Sequence, residues 1–272
     1  MLIALDKNQC KRCGICINMM KGYCISEKDG FPIFDATLCN TCQKCVAICP
    51  SQAITVAGVH PDKIDATRKV DPEQIYALFE KRRSTKHFTG EPVPKGILET
   101  IVSVAKFAPN QNKNLSVLVV DDKRLIAEID QTAIAFVKTM YRILFGWKPV
   151  ELFCQLFYKD IETLKRKMEY HSFQRVMPEN TQAILVVSGN KKIPVTERSA
   201  HYMLATMMVM AEALGIGNCL MDSIYVSLRT NRKLRKRLKI TGDVFGVLVL
   251  GYSGENIKNI PRGYEVNVRW NV

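Results

Sequence analysis

The sequence predicts an α+β protein in two parts, a small cysteine-dense N-terminal module and a larger domain in which helices and strands alternate. Three observations carry that expectation. Eight of the ten cysteines lie within the first 49 residues, and only Cys154 and Cys219 fall later. Beyond about residue 70, apolar residues recur at helical spacing and then in short strand-like runs. No such run is followed by Gly-x-Gly-x-x-Gly at a helix start; Gly215-Ile216-Gly217 closes a helix instead, so a Rossmann dinucleotide site is not expected. The boundaries read from composition are 1–60 for the module, 61–71 for a turn-rich linker containing Pro61, and 72–272 for the larger domain.

Composition narrows the classes. A chain of 272 residues with 47% hydrophobic and 24% charged content is globular and has room for a sizeable core. The net charge of +13 favours acidic partners without naming them. No run of about 18 uncharged apolar residues exists, so no membrane span is expected; the nearest stretch, Tyr202 to Gly217, carries Glu212. The opening Met-Leu-Ile-Ala-Leu-Asp-Lys reaches a cysteine at position 10, which leaves no room for a signal peptide and points to the cytoplasm. Nucleic-acid binding is not expected, because no recognisable module or interleaved aromatics accompany the basic residues.

The cysteines are the most specific signal. The first group reads Cys10-x2-Cys13-x2-Cys16-x7-Cys24 and the second Cys39-x2-Cys42-x2-Cys45-x3-Cys49-Pro50. The second string is the bacterial ferredoxin spacing, in which three thiolates on one loop grip three corners of a cubane. The fourth ligand comes from the other motif in two-cluster proteins. That logic assigns Cys10, Cys13, Cys16 and Cys49 to one [4Fe–4S] cluster and Cys39, Cys42, Cys45 and Cys24 to the other. The segment is also an internal repeat, since Cys10, Cys13 and Cys16 recur 29 residues later and Asp6 and Asp35 each stand four residues ahead of the first ligand. It resembles the pseudo-symmetric bacterial ferredoxin over residues 1 to about 57, except that Cys24 follows Cys16 by eight residues with no proline after it. Zinc and disulfides are the competing readings. A third cysteine at the same step is superfluous for a tetrahedral site, and disulfides are not expected without secretion. So small a module has little apolar core, so its clusters should also hold it folded. Cys154 and Cys219, in apolar surroundings, read as core residues.

In the larger domain, Asp71 is a suitable helix N-cap, Pro72 suits the first helical position, and Ile75, Leu78 and Phe79 give a helical stripe. Ile97 to Ala105 marks a second helix ended by Pro109. Val117–Val120 reads as a strand, and Asp121-Asp122 caps a helical region from about 125 to 170, interrupted at Gly146 and Pro149. Ala183–Val187, Phe245–Leu250 and Val266–Trp270 read as further strands. Ala200–Leu214 is apolar nearly all round and should be buried on every side.

At the end of the domain's first helix stands Arg82-Arg83-Ser84-Thr85-Lys86-His87-Phe88. Guanidinium forks, a hydroxyl and a lysine make a phosphate grip, although a basic helix end is often simply solvated. With Ala108-Pro109-Asn110-Gln111-Asn112-Lys113-Asn114, Ala211-Glu212-Ala213-Leu214-Gly215-Ile216-Gly217, Leu250-Gly251-Tyr252 and Pro261-Arg262, it resembles in order the motifs of the nitroreductase family of FMN enzymes. The resemblance spans about residues 72 to 272. It implies a mixed sheet flanked by helices in an intertwined homodimer, with FMN at the interface. Arg82, Arg83, Ser84 and Arg262 would bind the FMN phosphate and ribityl chain, and Lys86 would face the N1/O2 edge. Asn114 or Asn112 would touch the ring, and Asp222 and Ser223 would lie near N5. The sequence departs from the family at Leu115-Ser116 and at Leu220-Met221-Asp222-Ser223, where the usual Gln-Pro and glycines are missing.

A cluster-to-flavin fusion converts single electrons into hydride equivalents. The expected activity is an FMN-dependent oxidoreductase in which a low-potential donor loads the clusters and FMN reduces a small electrophile: a nitroaromatic, quinone or activated alkene. The alternative is an electron-transfer or redox-sensing flavoprotein that serves a protein partner without small-molecule turnover. The basic run from Arg229 to Lys239 would dock an acidic ferredoxin or flavodoxin donor, or is a solvated helix face. Tyr141, Phe145, Trp147, Phe153, Phe157 and Tyr158 form either an apolar substrate lid or plain core. The four histidines show no metal-ligand spacing.

Overall fold

Short strands joined by turns build the N-terminal part of the computed structural model, which describes residues 2–109, 114–150, 160–172, 175–261 and 266–270. Strand β1 (Ile3–Leu5) pairs antiparallel with β4 (Ile54–Val56), and β2 (Ile25–Lys28) forms a hairpin with β3 (Phe31–Phe34). The hairpin turns at Asp29-Gly30, both with positive φ, as a two-residue type I′ loop requires. Helices α1 (Ile15–Met19) and α2 (Lys44–Ala47) occupy equivalent places in the repeat, each opened by a left-handed residue, Gly14 or Gln43. The repeated aspartates explain the matching turns. Asp6 Oδ1 accepts from the amides of Asn8 and Gln9, and Asp35 Oδ1 accepts from those of Thr37 and Leu38. The core of this part is small: Ile3, Met20, Ile25, Val46 and Ile54, with Cys16, Cys24 and Cys45 among them.

The chain divides into two compact units, Met1–Val70 with Pro109–Asn114, and Asp71–Ala108 with Leu115–Val272. The second opens with α3 (Pro72–Lys81), whose N-cap Asp71 accepts from the Glu73 amide at 3.0 Å. Then come α4 (Lys95–Ser103), β5 (Leu115–Val120), α5 (Lys123–Phe145), α6 (Ile161–Ser172), β6 (Ala183–Gly189), α7 (Thr196–Ala213), β7 (Ile216–Leu220), α8 (Asp222–Thr230), α9 (Arg232–Arg237) and β8 (Asp243–Tyr252). The four strands form one sheet in the order β5-β6-β8-β7, with every named pair antiparallel. Alternate residues of the central strands face opposite layers. Ile184, Val186, Val247 and Val249 pack with α5 and α8, while Leu185, Val187, Leu248 and Leu250 pack with α4 and α7. The core therefore covers both sheet faces.

The α+β class, the caps at Asp71 and Asp122 and three of the four expected strands match the structure. The fourth does not. Residues 266–270 are irregular, and Trp270 is 84% exposed; the fourth strand is β7, which begins directly after the α7 turn. Its signal was masked because Gly215 and Gly217 read as a helix stop, and only Gly215, at φ +72°, does that work. Nor is α7 buried all round in the single chain. Ser199, Ala200, Met203, Leu204, Met207 and Ala211 form its buried stripe, whereas Tyr202 is 50% exposed. The apolar stripe of α3 is likewise uncovered, with Ile75, Tyr76 and Phe79 exposed and no residue of the helix buried.

Candidate functional site

A cavity of about 530 Å³ lies in the larger unit where three separated stretches of sequence meet. Gln74, Leu78 and Lys81 reach it from α3, and Arg83 and Thr85 from the segment that follows. Glu212 and Gly215 to Gly217 come from the α7–β7 turn, and Ser253 to Ile257 from the residues after β8. Its size is that of a small-molecule site.

The segment after α3 lies as a strap across β7 and β8. The Thr85 amide donates to the Asn218 carbonyl, the Thr89 amide to that of Tyr252, and the Gly254 amide to that of His87, each at 2.9 Å. So close an approach explains two glycines. A Cβ on Gly217 would stand 2.7 Å from Thr85 Oγ1, and one on Gly251 2.8 Å from the Phe88 ring. Glu255 fastens the strap from outside, its Oε1 accepting from the Lys86 amide at 2.6 Å and the His87 amide at 2.9 Å. The Lys86 ammonium points inward and donates to Cys219 Sγ at 3.4 Å.

Electrostatically the cavity is mixed. Burial pushes the Glu212 carboxyl above its ordinary value, and the cations of Arg82, Lys81 and Arg83 offset part of that rise. Arg83 also donates to the Arg82 carbonyl at 2.6 Å, which fixes the direction of its guanidinium. The result is a cavity with two cations, Lys81 and Arg83, in its lining and Arg82 close enough to act on Glu212.

The expected site residues divide accordingly. Arg82, Arg83, Ser84 and Lys86 lie on the strap or where it leaves α3, and Ser84 bridges to Asn218. Asp222 and Ser223 open α8 and are not among the residues lining this cavity. Asn114 stands just before β5. Asn112 and Arg262 lie outside the described residues, as do Cys154, Phe153, Phe157 and Tyr158. Tyr141 and Phe145 stack at 5.1 Å between ring centroids. Glu255 was missed by sequence reading. A lone glutamate in a polar stretch has no local signature, and only the fold brings it to Lys86.

In the smaller unit, Cys10, Cys13, Cys16 and Cys49 line one hollow. Burial raises the Cys16 thiol, with further contributions from the neighbouring charges of Cys49 and Cys10. The second group shows the same mutual repulsion. Burial pushes Cys45 up to about 12, with Cys42, Cys24 and Cys39 adding to the rise. Cys24 is raised by burial and then by Cys39 and Cys42. Cys49 goes the other way: burial raises it, but hydrogen bonds from Ser51, Ala53 and Ile54 outweigh burial and leave it lowered. Among the described residues no three Cys, His, Asp or Glu side chains stand close enough to share a single metal ion. No described helix is long and apolar enough to cross a membrane.

Comparison with known proteins separates the two units. The model of the nitroreductase family matches residues 79–252. An FMN-bound nitroreductase from Desulfitobacterium hafniense superposes with a TM-score of 0.56 at 17% identity, over 74% of this chain and 99% of that one. An FMN-bound nitroreductase from Bacteroides fragilis gives a TM-score of 0.53 at 16% identity, over 72% and 99%. At such identities the likeness is one of fold. An uncharacterized ferredoxin of Methanocaldococcus jannaschii is 33% identical over 70 residues, covering 24% of this chain and 91% of the ferredoxin.

Proposed function

The chain belongs to the nitroreductase family and is an oxidoreductase, and we propose that it is an iron–sulfur flavoprotein in which two [4Fe–4S] clusters feed electrons to FMN for reduction of a small electrophilic acceptor. Nitroaromatics, quinones and activated alkenes are the acceptor classes. The observation that carries this reading is convergence: thiols far apart in sequence ring one hollow, and three separated motifs wall one cavity.

The residues present fit both groups. FMN would supply the conversion of single electrons into hydride equivalents. Arg82 and Arg83, with Lys81, are placed to grip its phosphate by charge-assisted hydrogen bonds. Gly215 and Gly217 line the same cavity from the α7–β7 turn without side chains of their own. The Lys86 ammonium, held by its bond to Cys219, would stabilise negative charge on a reduced flavin. Glu255 holds the Lys86 backbone in place. In the smaller unit, two sets of four thiols, each with a Cys-x2-Cys-x2-Cys step and the first lining one hollow, would suit cubanes with four iron corners better than a single tetrahedral ion. The ferredoxin similarity supports that assignment, with 1–60 and 72–272 as the two functional domains.

A homodimer is part of the reading. The uncovered apolar residues of α3 and the exposed flank of α7 are surfaces that a second copy would bury. The basic helix α9, with Arg232, Lys233 and Lys236, fits an acidic electron-donor protein.

The test is anaerobic purification with iron, sulfide and flavin counts, followed by acceptor turnover driven by reduced ferredoxin or dithionite. We expect about eight irons and one FMN per chain, given two cubanes and one flavin site. Arg83→Ala should weaken FMN binding roughly 10- to 100-fold, the scale of a charged hydrogen bond. Cys45→Ala should slow flavin reduction by ferredoxin; equal rates in the variant and the native protein would remove the clusters from the electron path.

A further inference from the structure

The two cysteine sets are related by the 29-residue repeat, yet their surroundings differ. Near the first set stand Lys7, Lys11 and Arg12; the repeat-related residues near the second are Ala36, Asn40 and Thr41. In return the second repeat has Lys44, exposed on α2, where the first has Ile15. Arg12 is not a loose surface cation. It lines the same hollow as Cys10, Cys13, Cys16 and Cys49, with its guanidinium 4.2 Å from the centre of the Phe31 ring. Lys7 Nζ lies 5.4 Å from the same ring. The hairpin tip holds the Arg12 stem, since a Cβ on Gly30 would stand only 3.4 Å from Arg12 Cδ.

The crossing ligands differ as well. Cys49 Sγ accepts from the Ala53 amide at 3.3 Å and lies 3.6 Å from Ser51 Oγ. Cys24, its counterpart, is buried beside the thiols of Cys39 and Cys42. Hydrogen bonds to cluster sulfur and nearby charge are the levers by which a protein sets cluster potential. On the first set, Arg12 and the Ala53 amide bond to the crossing ligand act together.

We infer that the Cys10, Cys13, Cys16 and Cys49 set holds its cluster at the higher reduction potential of the two, with Arg12 as the residue that sets the gap. This rests on reading the cysteines as two cubane sites. An added electron is an added negative charge, and a guanidinium that never deprotonates and lines the same hollow stabilises it. An electron delivered to the Cys39 set by a low-potential one-electron carrier then passes to the Cys10 set. One cluster loses one electron, the other gains it, no bond breaks and no proton moves. The module works as a downhill step with a defined resting place for the electron.

The experiment is a potentiometric titration of the full-length holoprotein followed by electron paramagnetic resonance. The native protein should show two resolved one-electron waves. Arg12→Gln should lower the upper wave by about tenfold in electron occupancy, which is about 59 mV, and Arg12→Lys should restore most of it. Thr41→Arg should raise the lower wave, so both charge changes narrow the gap; this second variant decides the matter if Arg12→Gln does not fold. A gap that neither variant narrows, or that Arg12→Gln widens, overturns the inference while leaving the cubanes in place. Protein that takes up no iron and sulfide overturns the cubane reading and the inference with it.

Discussion

The two units of this protein are stabilised in different ways. The larger one packs helices on both faces of a four-stranded sheet and buries Ile184, Leu185, Leu248 and Leu250 completely. The smaller one has a core in which three of eight buried residues are cysteines, and every thiol in it repels its neighbours once ionised. A sheet with two covered faces is stable by burial alone. On the reading proposed above, a unit with so small an apolar core would draw much of its stability from the clusters its thiols hold. The proposed function divides along the same line, with a cavity in one unit and the two thiol sets in the other.

The largest expected effect breaks the comparison outright. Iron chelation, or the Cys45→Ala change, should unfold residues 1–60 while the larger unit stays folded. Metal–thiolate binding in structural sites is worth on the order of 10 kcal/mol, more than so small a core supplies. Hydrogen exchange reads this directly, as loss of amide protection in β1 and β4 and retention in β6 and β8. A mutation in the sheet should do the reverse. Leu248→Ala should destabilise the larger unit by about 2–5 kcal/mol in denaturant unfolding and leave iron and sulfide content unchanged.

The smallest effect sharpens the contrast through pH. Glu212 in the larger unit is raised by burial, so the folded state holds its proton longer than the unfolded chain does. That contribution therefore declines as pH rises above its ordinary value of 4.5. Asp35 in the smaller unit is lowered by the hydroxyl and amide of Thr37, so its contribution is lost as pH falls from its ordinary value of 3.8. Thermal unfolding across pH 3 to 7 should show opposite slopes for the two units, and Glu212→Gln should flatten one of them.

The legibility of the sequence follows the same division. The grouping of Cys10, Cys13 and Cys16 is local in sequence, because a loop with a two-residue step keeps its three thiols together, and the fold adds Cys49 to the same hollow. The caps at Asp71 and Asp122 were local in the same way. Strand β7 was hidden because its five residues are entered directly from a glycine turn and include Gly217, a weak strand residue tolerated only because Thr85 presses on it. Exposure of the α3 stripe was equally illegible, since an amphipathic pattern records that a face is covered and not by which chain. Glu255 is the clearest case. Its role depends on a contact 169 residues away, which no window of local sequence contains.

That long reach fixes an order of assembly during synthesis. Residues 3 to 56, which pair β1 with β4, leave the ribosome before the larger unit and can pair while that unit is still being made. The strap carrying Lys86 emerges next, but Glu255, one of its fasteners, follows Lys86 by 169 residues. A nascent chain thus completes the strand pairs of its smaller unit well before the strap of the larger one can be fastened, and translation stalled between the two would leave the cavity of the larger unit without its last wall.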